Sequence, residues 1–189
     1  DLAGVAVAWK DGRPVLLDRL RQVAGLRPDG SFRLDQSFFR FERGGVMWSP
    51  RFEREFGPPR VPGSDLGERY LDMAASLQAL LEEAMLALAR HVHERTGLRR
   101  LCMAGGVALN CAANGRILEE TPFQEVFVQP AAGDAGAALG AAAVIRHCVH
   151  GLPREVVMRD AFLGPEYPVS RMRRALAARG LPTTEVHPE

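Results

Sequence analysis

The stretch 101–143, LCMAGGVALNCAANGRILEETPFQEVFVQPAAGDAGAALGAAA, constrains the fold more than any other part of the chain. Twice in it a short apolar run, at 101–103 and again at 126–128, reaches a turn of small residues and passes at once into an Ala- and Leu-rich helical pattern. The turns are Ala104-Gly105-Gly106 and Ala132-Gly133-Asp134. A right-handed crossover between the two units makes the strands parallel neighbours and lays the intervening helix on one face of the sheet. Both turns then fall at one edge, at the carboxyl ends of the strands, where open α/β sheets bind ligands.

The turn residues bear on chemistry in different ways. Gly105 and Gly106 let backbone N–H groups approach a ligand without a Cβ in the way, and the helix predicted over 107–118 aims its positive end at the same place. Such a turn suits anions, phosphates above all; a tight turn without a ligand accounts for the glycines equally. Asn110, placed on the first turn of that helix, reaches a ribose hydroxyl or a phosphate oxygen, or else is a surface amide. Asp134 opens a second helix, predicted from 135 to about 146. It serves either as its N-cap or as a carboxylate holding a divalent cation that bridges phosphates.

The totals exclude several classes of function. Twenty-four Lys and Arg against twenty-three Asp and Glu leave a formal charge of +1, so no bulk field draws the chain to nucleic acid or to an anionic membrane. Cys102, Cys111 and Cys148 form no CxxC spacing and are odd in number, which points to neither a disulfide framework nor a zinc site. His147 and His150 lack further ligands nearby in sequence and read as structural, like Cys111 and Cys148. No apolar run approaches the roughly 20 residues of a spanning helix, and a cytoplasmic location is expected. The chain begins at Asp1 without Met and reads as a piece of something longer.

Ahead of the paired units, 2–9 reads as a strand, 10–12 as a turn, 14–23 as a short helix and 27–30 as another turn. Six of the nine Phe and one of the two Trp fall in 31–59, interleaved with Arg and Glu. Alternation at 32–34 and 39–41, with Gly44-Gly45 turning a hairpin before 46–48, predicts a half-buried β region whose Arg side chains cover the rings. Residues 57–63, GPPRVPG, are a stiff connector. The clearest helix follows, capped by Ser64 or Asp65 with Glu68 completing a capping box, and stopped by Gly97. Its predicted buried stripe is Leu66, Tyr70, Met73, Leu77, Leu80 or Leu81, Ala84, Leu88 and Val92. His91 and His93, two apart, cannot share a metal and suit the negative helix end. Beyond 147 the pattern decays until a short basic helix at 169–179.

Three strings in order, Tyr70-Leu71-Asp72-Met73-Ala74-Ala75-Ser76-Leu77-Gln78, then Leu101 through Cys111, then Val128-Gln129-Pro130-Ala131-Ala132-Gly133-Asp134-Ala135-Gly136, resemble the carbamoyltransferases of nodulation-factor and antibiotic biosynthesis. The likeness runs over about 15–181 and takes in Asp29-Gly30-Ser31-Phe32 and Phe162-Leu163-Gly164-Pro165; residues 1–13 fall outside it. It implies an α/β fold, one lobe of an actin-like ATPase (ribonuclease H-like) domain with a βαβα core, similar to the tRNA threonylcarbamoyl transferase subunit. The implied activity transfers a carbamoyl group from carbamoyl phosphate, through carbamoyl adenylate made with ATP, to a hydroxyl of a small-molecule or sugar acceptor. By motif, Gly105, Gly106, Asn110 and Gly133 match the nucleotide-binding turns, and Asp134 matches a metal ligand for iron or another divalent cation.

The departures from that family set further expectations. Its early HxxxH metal motif, a further aspartate and the adenylate-forming domain have no counterpart here. The chain is therefore expected to divide into a loop- and hairpin-rich segment (1–63), an α/β nucleotide- and metal-binding lobe (64–150) and an exit segment (151–189). Alone it is expected to bind nucleotide weakly and not to turn over, and to self-associate through an exposed apolar face. Two competing expectations are another nucleotide-binding protein of the actin-like ATPase fold and a folded remnant without chemistry.

Overall fold

The computed structural model describes residues 12–41, 45–155, 157–158, 164–182 and 184. The strand expected at 2–9, most of the 10–12 turn, Gly44, and Phe162 and Leu163 lie outside the described residues. The elements, in order, are α1 (Leu17–Val23), β1 (Ala24–Leu26), β2 (Phe32–Leu34), α2 (Pro50–Phe56) and α3 (Glu68–Thr96). There follow β3 (Arg100–Met103), α4 (Cys111–Glu120), β4 (Glu125–Val128), α5 (Ala135–Val144) and α6 (Val169–Ala177). The fold is mixed α/β, with β1 and β2 antiparallel and β3 and β4 parallel in separate small sheets. No described helix is long and apolar enough to cross a membrane.

Two compact units divide the chain, Asp1–Leu139 and Gly140–Glu189. In the second, a π-helical turn (Ile145–Val149) is closed by His147 Nδ1 against the Leu152 carbonyl at 2.9 Å, and Arg171 lies over the Tyr167 ring. The first unit is built on α3, at 29 residues about 43 Å long. Toward its N-terminal half Leu20, Val23, Phe38 and Phe56 form one apolar cluster, with Met73 and Leu80 of α3 against it. Its C-terminal half contributes Met85, Leu86 and Ala89 to a second, with Ala113 and Ile117 of α4 and Phe123. Leu81, Val92, Leu101, Met103 and Val126 pack on the edge of that second cluster.

Serving two clusters defeats the single-stripe expectation for α3. Leu66, just ahead of the helix, and Leu77 and Leu88 on it are exposed, while the covered positions are Asp72, Ala74, Ala75, Ser76, Met85, Leu86 and Ala89. Leu66 and Leu77 instead line an apolar groove of about 610 Å³ with Trp48, Phe52 and the prolines of the connector. Asp72 and Ser76 are buried because they receive the chain ahead of α1. The Arg13 N–H donates to Asp72 Oδ1 at 2.7 Å and the Leu16 N–H to Ser76 Oγ at 3.0 Å, while Ser76 Oγ donates to the Asp72 carbonyl. These bonds replace water on groups that burial would otherwise leave unpaired.

The ends of α3 split the capping expectation. Gly97 stops it as predicted, at φ 65° with its N–H on the His93 carbonyl. The start is Glu68 with Gly67 at the cap and no side-chain cap, so the Asp65–Glu68 box does not form. Ser64 is turned the other way, its hydroxyl donating to the Val61 carbonyl inside the connector. His93 is fixed by hydrogen bonding between its Nδ1 and the Leu98 carbonyl at 2.8 Å and by edge contact with Phe123.

The aromatic region folds as a packed cap, but the alternation expected at 32–34 and 39–41 does not bury one face, for Phe32 and Phe41 are exposed. Phe38 and Phe56 are buried, and Arg51 and Arg19 lie over their rings at 4.1 and 5.1 Å. The reversal around Gly45 survives as one bridge, Phe39 to Trp48, and regular strands form earlier, between 24–26 and 32–34. The helix α2 was not expected, although its signal is plain: Ser49 caps the Phe52 N–H and Pro50 stands at the first helical position. Asp35 caps the short 3-10 turn Gln36–Phe38. The Ser37 hydroxyl first, then the Ser37 N–H, hold its carboxyl below the ordinary aspartate range. Stability from that group is present above its unfolded pKa and is lost as pH falls through the folded value. Ser37→Ala removes the larger cause, and the Asp35 carboxyl is expected to titrate higher than in wild type by carbon-detected NMR.

Candidate functional site

The parallel pair β3–β4 runs in register from Arg100 opposite Glu125 to Met103 opposite Val128, and Gln129 N–H extends the ladder to the Met103 carbonyl. The two small-residue turns therefore leave the sheet at one edge, and they are bonded to each other: Gly105 N–H donates to the Ala132 carbonyl at 2.8 Å. Gly105 sits at φ 95°, a conformation that leaves glycine the natural occupant. Gly136 is fixed by space, since a Cβ there would lie 2.0 Å from the Ala131 carbonyl oxygen. Gly106 and Gly133 differ from both, having no positive φ and, among the described residues, no atom within 4 Å of a Cβ built on them. Nothing among the described residues requires glycine at those two positions. Among the described residues the N–H groups of Gly106, Val107, Gly133 and Asp134 also find no acceptor.

The helix after the first turn begins later than its sequence pattern suggests. A 3-10 turn, Gly106–Leu109, comes first, and α4 opens only at Cys111. Asn110 is the cap of α4 and not part of its first turn: its Oδ1 accepts from the Ala113 N–H at 3.0 Å. A side chain able to bond its own backbone two or three residues on favours such a break. Ala108, at 2% exposure, plugs the turn into the core, and Asn114 Nδ2 ties the Ala108 carbonyl down at 2.7 Å. The Asn114 Oδ1 atom is buried there without a partner.

Asp134 is exposed, and its backbone carbonyl accepts from the Ala137 N–H. Among the described residues its carboxylate makes no hydrogen bond and no ion pair, so it does not cap α5 through its side chain. The cap that would explain this aspartate without a ligand is thus not formed. None of the small residues of α5 is buried. No group of three or more His, Cys, Asp or Glu able to hold a metal occurs among the described residues. Among the described residues Asp134 is therefore a lone carboxylate, fewer ligands than a resident cation takes from protein. A cation that arrives on phosphates needs only one or two carboxylates, and Asp134 meets that smaller demand.

Behind the first turn lies a polar network that sequence inspection passed over. Gln78 of α3 and Asn110 exchange hydrogen bonds in both directions, at 2.8 and 3.1 Å. Gln78 Nε2 also donates to Glu82 at 2.7 Å, and Glu82 is paired with Arg116 of α4 at 2.6 Å. Hydrogen bonds to Glu120 first, and then to Glu82, hold the Arg116 guanidinium above its ordinary value. Arg116 in turn holds the Glu120 carboxyl below its own. The signal for Gln78 was present as the last residue of the first quoted string, but periodicity assigns it no role.

An uncharacterised protein of Synechocystis sp. is 44% identical over 162 residues, 82% of this chain and 26% of that protein. Nodulation protein NolNO of Sinorhizobium fredii and nodulation protein NolO of Bradyrhizobium diazoefficiens are each 44% identical over 108 residues, 57% of this chain and 16% and 20% of theirs. The chain thus spans about a quarter or less of the length of these relatives. The family model described as the carbamoyltransferase N-terminus matches residues 11–143, which hold the long helix and both glycine turns: the chain belongs to the carbamoyltransferase family.

Proposed function

We propose that this chain supplies one wall of the nucleotide site of an O-carbamoyltransferase, as one lobe of an actin-like ATPase fold. The observation that carries the reading is the pair of sheet-edge turns bonded through Gly105 and Ala132, with Gly106 and Gly133 opening onto free space. Backbone N–H groups free of a Cβ and gathered at one edge suit the phosphate of an adenylate. In the proposed reaction an acceptor hydroxyl oxygen attacks the carbamoyl carbon of carbamoyl adenylate. The bond from that carbon to the phosphate oxygen breaks, AMP departs with the electron pair, and the hydroxyl proton is lost. Charge grows on the departing phosphate, where fixed N–H donors stabilise it without reorganising. Gly105 sets the turn, Gly106 and Gly133 admit the phosphate, Asn110 lies beside it, and Asp134 meets the cation that nucleotide phosphates carry. No step is routed through a resident metal.

In this reading the acceptor is a hydroxyl of a small molecule or sugar, the class implied by the resemblance to the carbamoyltransferases of nodulation-factor and antibiotic biosynthesis. The test has two parts. Titrating this chain with MgATP is expected to shift the backbone amide resonances of Gly105, Gly106 and Gly133, with a dissociation constant of about 1 mM. With radiolabelled carbamoyl phosphate and ATP the chain alone is expected to label no acceptor, whereas a protein of the relatives' length carrying this segment labels a hydroxyl. Absence of shifts at the glycine turns would remove the nucleotide assignment.

A further inference from the structure

We infer that Gln78 is a positioning residue that fixes the orientation of the Asn110 carboxamide, so that Asn110 presents a single N–H donor at the nucleotide-facing turn. The inference rests on the nucleotide reading of that turn. Its basis is the chemistry of the network. Carboxylates only accept, so Glu82, anchored by Arg116, requires the Nε2 side of the Gln78 amide. That leaves Gln78 Oε1 to receive an N–H of Asn110, and the second Nε2 hydrogen to meet Asn110 Oδ1. From the other end the Ala113 N–H also requires the oxygen of Asn110. Both ends of the network demand the same amide orientation.

Counting donors then isolates one atom. Both Nε2 hydrogens of Gln78 are committed, and one Nδ2 hydrogen of Asn110 is committed to Gln78. The other Nδ2 hydrogen has no acceptor among the described residues, and Asn110 is half-buried immediately after the turn Gly106–Leu109. An oriented N–H of this kind recognises an oxygen acceptor, a phosphate or ribose oxygen, and rejects a donor. Glu82 has 12% of its side chain exposed, so the charge setting the network's direction is shielded from water.

The experiment compares wild type with Gln78→Met, which keeps length and helix propensity, and Glu82→Gln, which keeps bonding but removes the charge that dictates direction. Slow solvent exchange of the Asn110 side-chain amide in nitrogen-edited NMR is expected in wild type and lost in Gln78→Met. Affinity for MgATP is expected to fall about three- to tenfold in Gln78→Met, as for one oriented hydrogen bond, and less in Glu82→Gln. In an Asn110→Ser background, which retains a cap, Gln78→Met is expected to change affinity by less than about twofold. An unchanged Asn110 amide signature in Gln78→Met overturns the inference. Loss of the signature with unchanged MgATP affinity overturns it while sparing the nucleotide reading. Absence of any MgATP binding by wild type removes both.

Discussion

Gly30→Ala is expected to destabilise the first unit by about 3–5 kcal/mol, measured as a fall in the denaturant midpoint without a change of slope. The residue sits in the loop between β1 and β2 at φ 79°, where an L side chain is strained by about 1–2 kcal/mol. The larger cost is space. A Cβ there would lie 2.3 Å from the Leu88 backbone nitrogen and 2.4 Å from its Cα, and a helix backbone cannot swing aside as the end of a side chain does. Gly45 separates the two causes. Its φ is 78°, almost the same, yet among the described residues nothing lies within 4 Å of a Cβ built on it. Gly45→Ala is therefore expected to cost only about 1 kcal/mol. Equal losses for the two variants would show that the approach to Leu88 is not what fixes Gly30. The neighbours of Gly30 serve the same loop: Asp29 accepts from both the N–H and the hydroxyl of Ser31, which draw its carboxyl below the ordinary range.

How much of this was legible in the sequence depended on whether the controlling interaction is local. The parallel strands and their turns were readable because apolar runs, glycines and helical patterns follow one another within a few residues, and the sheet has that register. Gly97 was readable as a helix stop for the same reason. The buried face of α3 was not, because two separate clusters and a polar dock each claim part of the helix. Hydrophobic periodicity assumes one partner surface, so it ranked Leu77 and Leu88 as core and passed over Asp72 and Ser76, whose burial depends on the N–H groups of Arg13 and Leu16 about sixty positions away. Gln78 was missed for a related reason. A glutamine on a helix has no local signature, and its role exists only because Asn110 breaks the chain between a 3-10 turn and α4 at the right height. At the site itself the glycines and Asp134 were named from the turns, and what the sequence left open was whether Asp134 is a cap; its carboxylate, which bonds no described residue, answers that.

Asp134→Ala is expected to abolish carbamoyl transfer by a protein of the relatives' length, while leaving the thermal midpoint of this chain almost unchanged. The stability half follows from contacts. An exposed carboxylate that bonds no described group contributes little, and surface substitutions of this kind fall within about 0.5 kcal/mol. The functional half follows from position. Asp134 succeeds Gly133 at the sheet edge where Ala132 receives the Gly105 N–H, so its carboxylate flanks the N–H groups assigned to phosphate. A bare carboxylate beside an anion is repulsive unless a cation lies between them. The sign of that interaction supplies the test: with magnesium present the variant is expected to bind ATP at least about tenfold more weakly than wild type, the scale of losing a charge-assisted contact. With magnesium chelated it is expected to bind ATP as well as wild type or slightly better, because a like charge has been removed. Equal weakening in both conditions would show that Asp134 acts through the shape of the turn and not through a cation carried on the phosphates. Unchanged transfer would take it out of the site altogether.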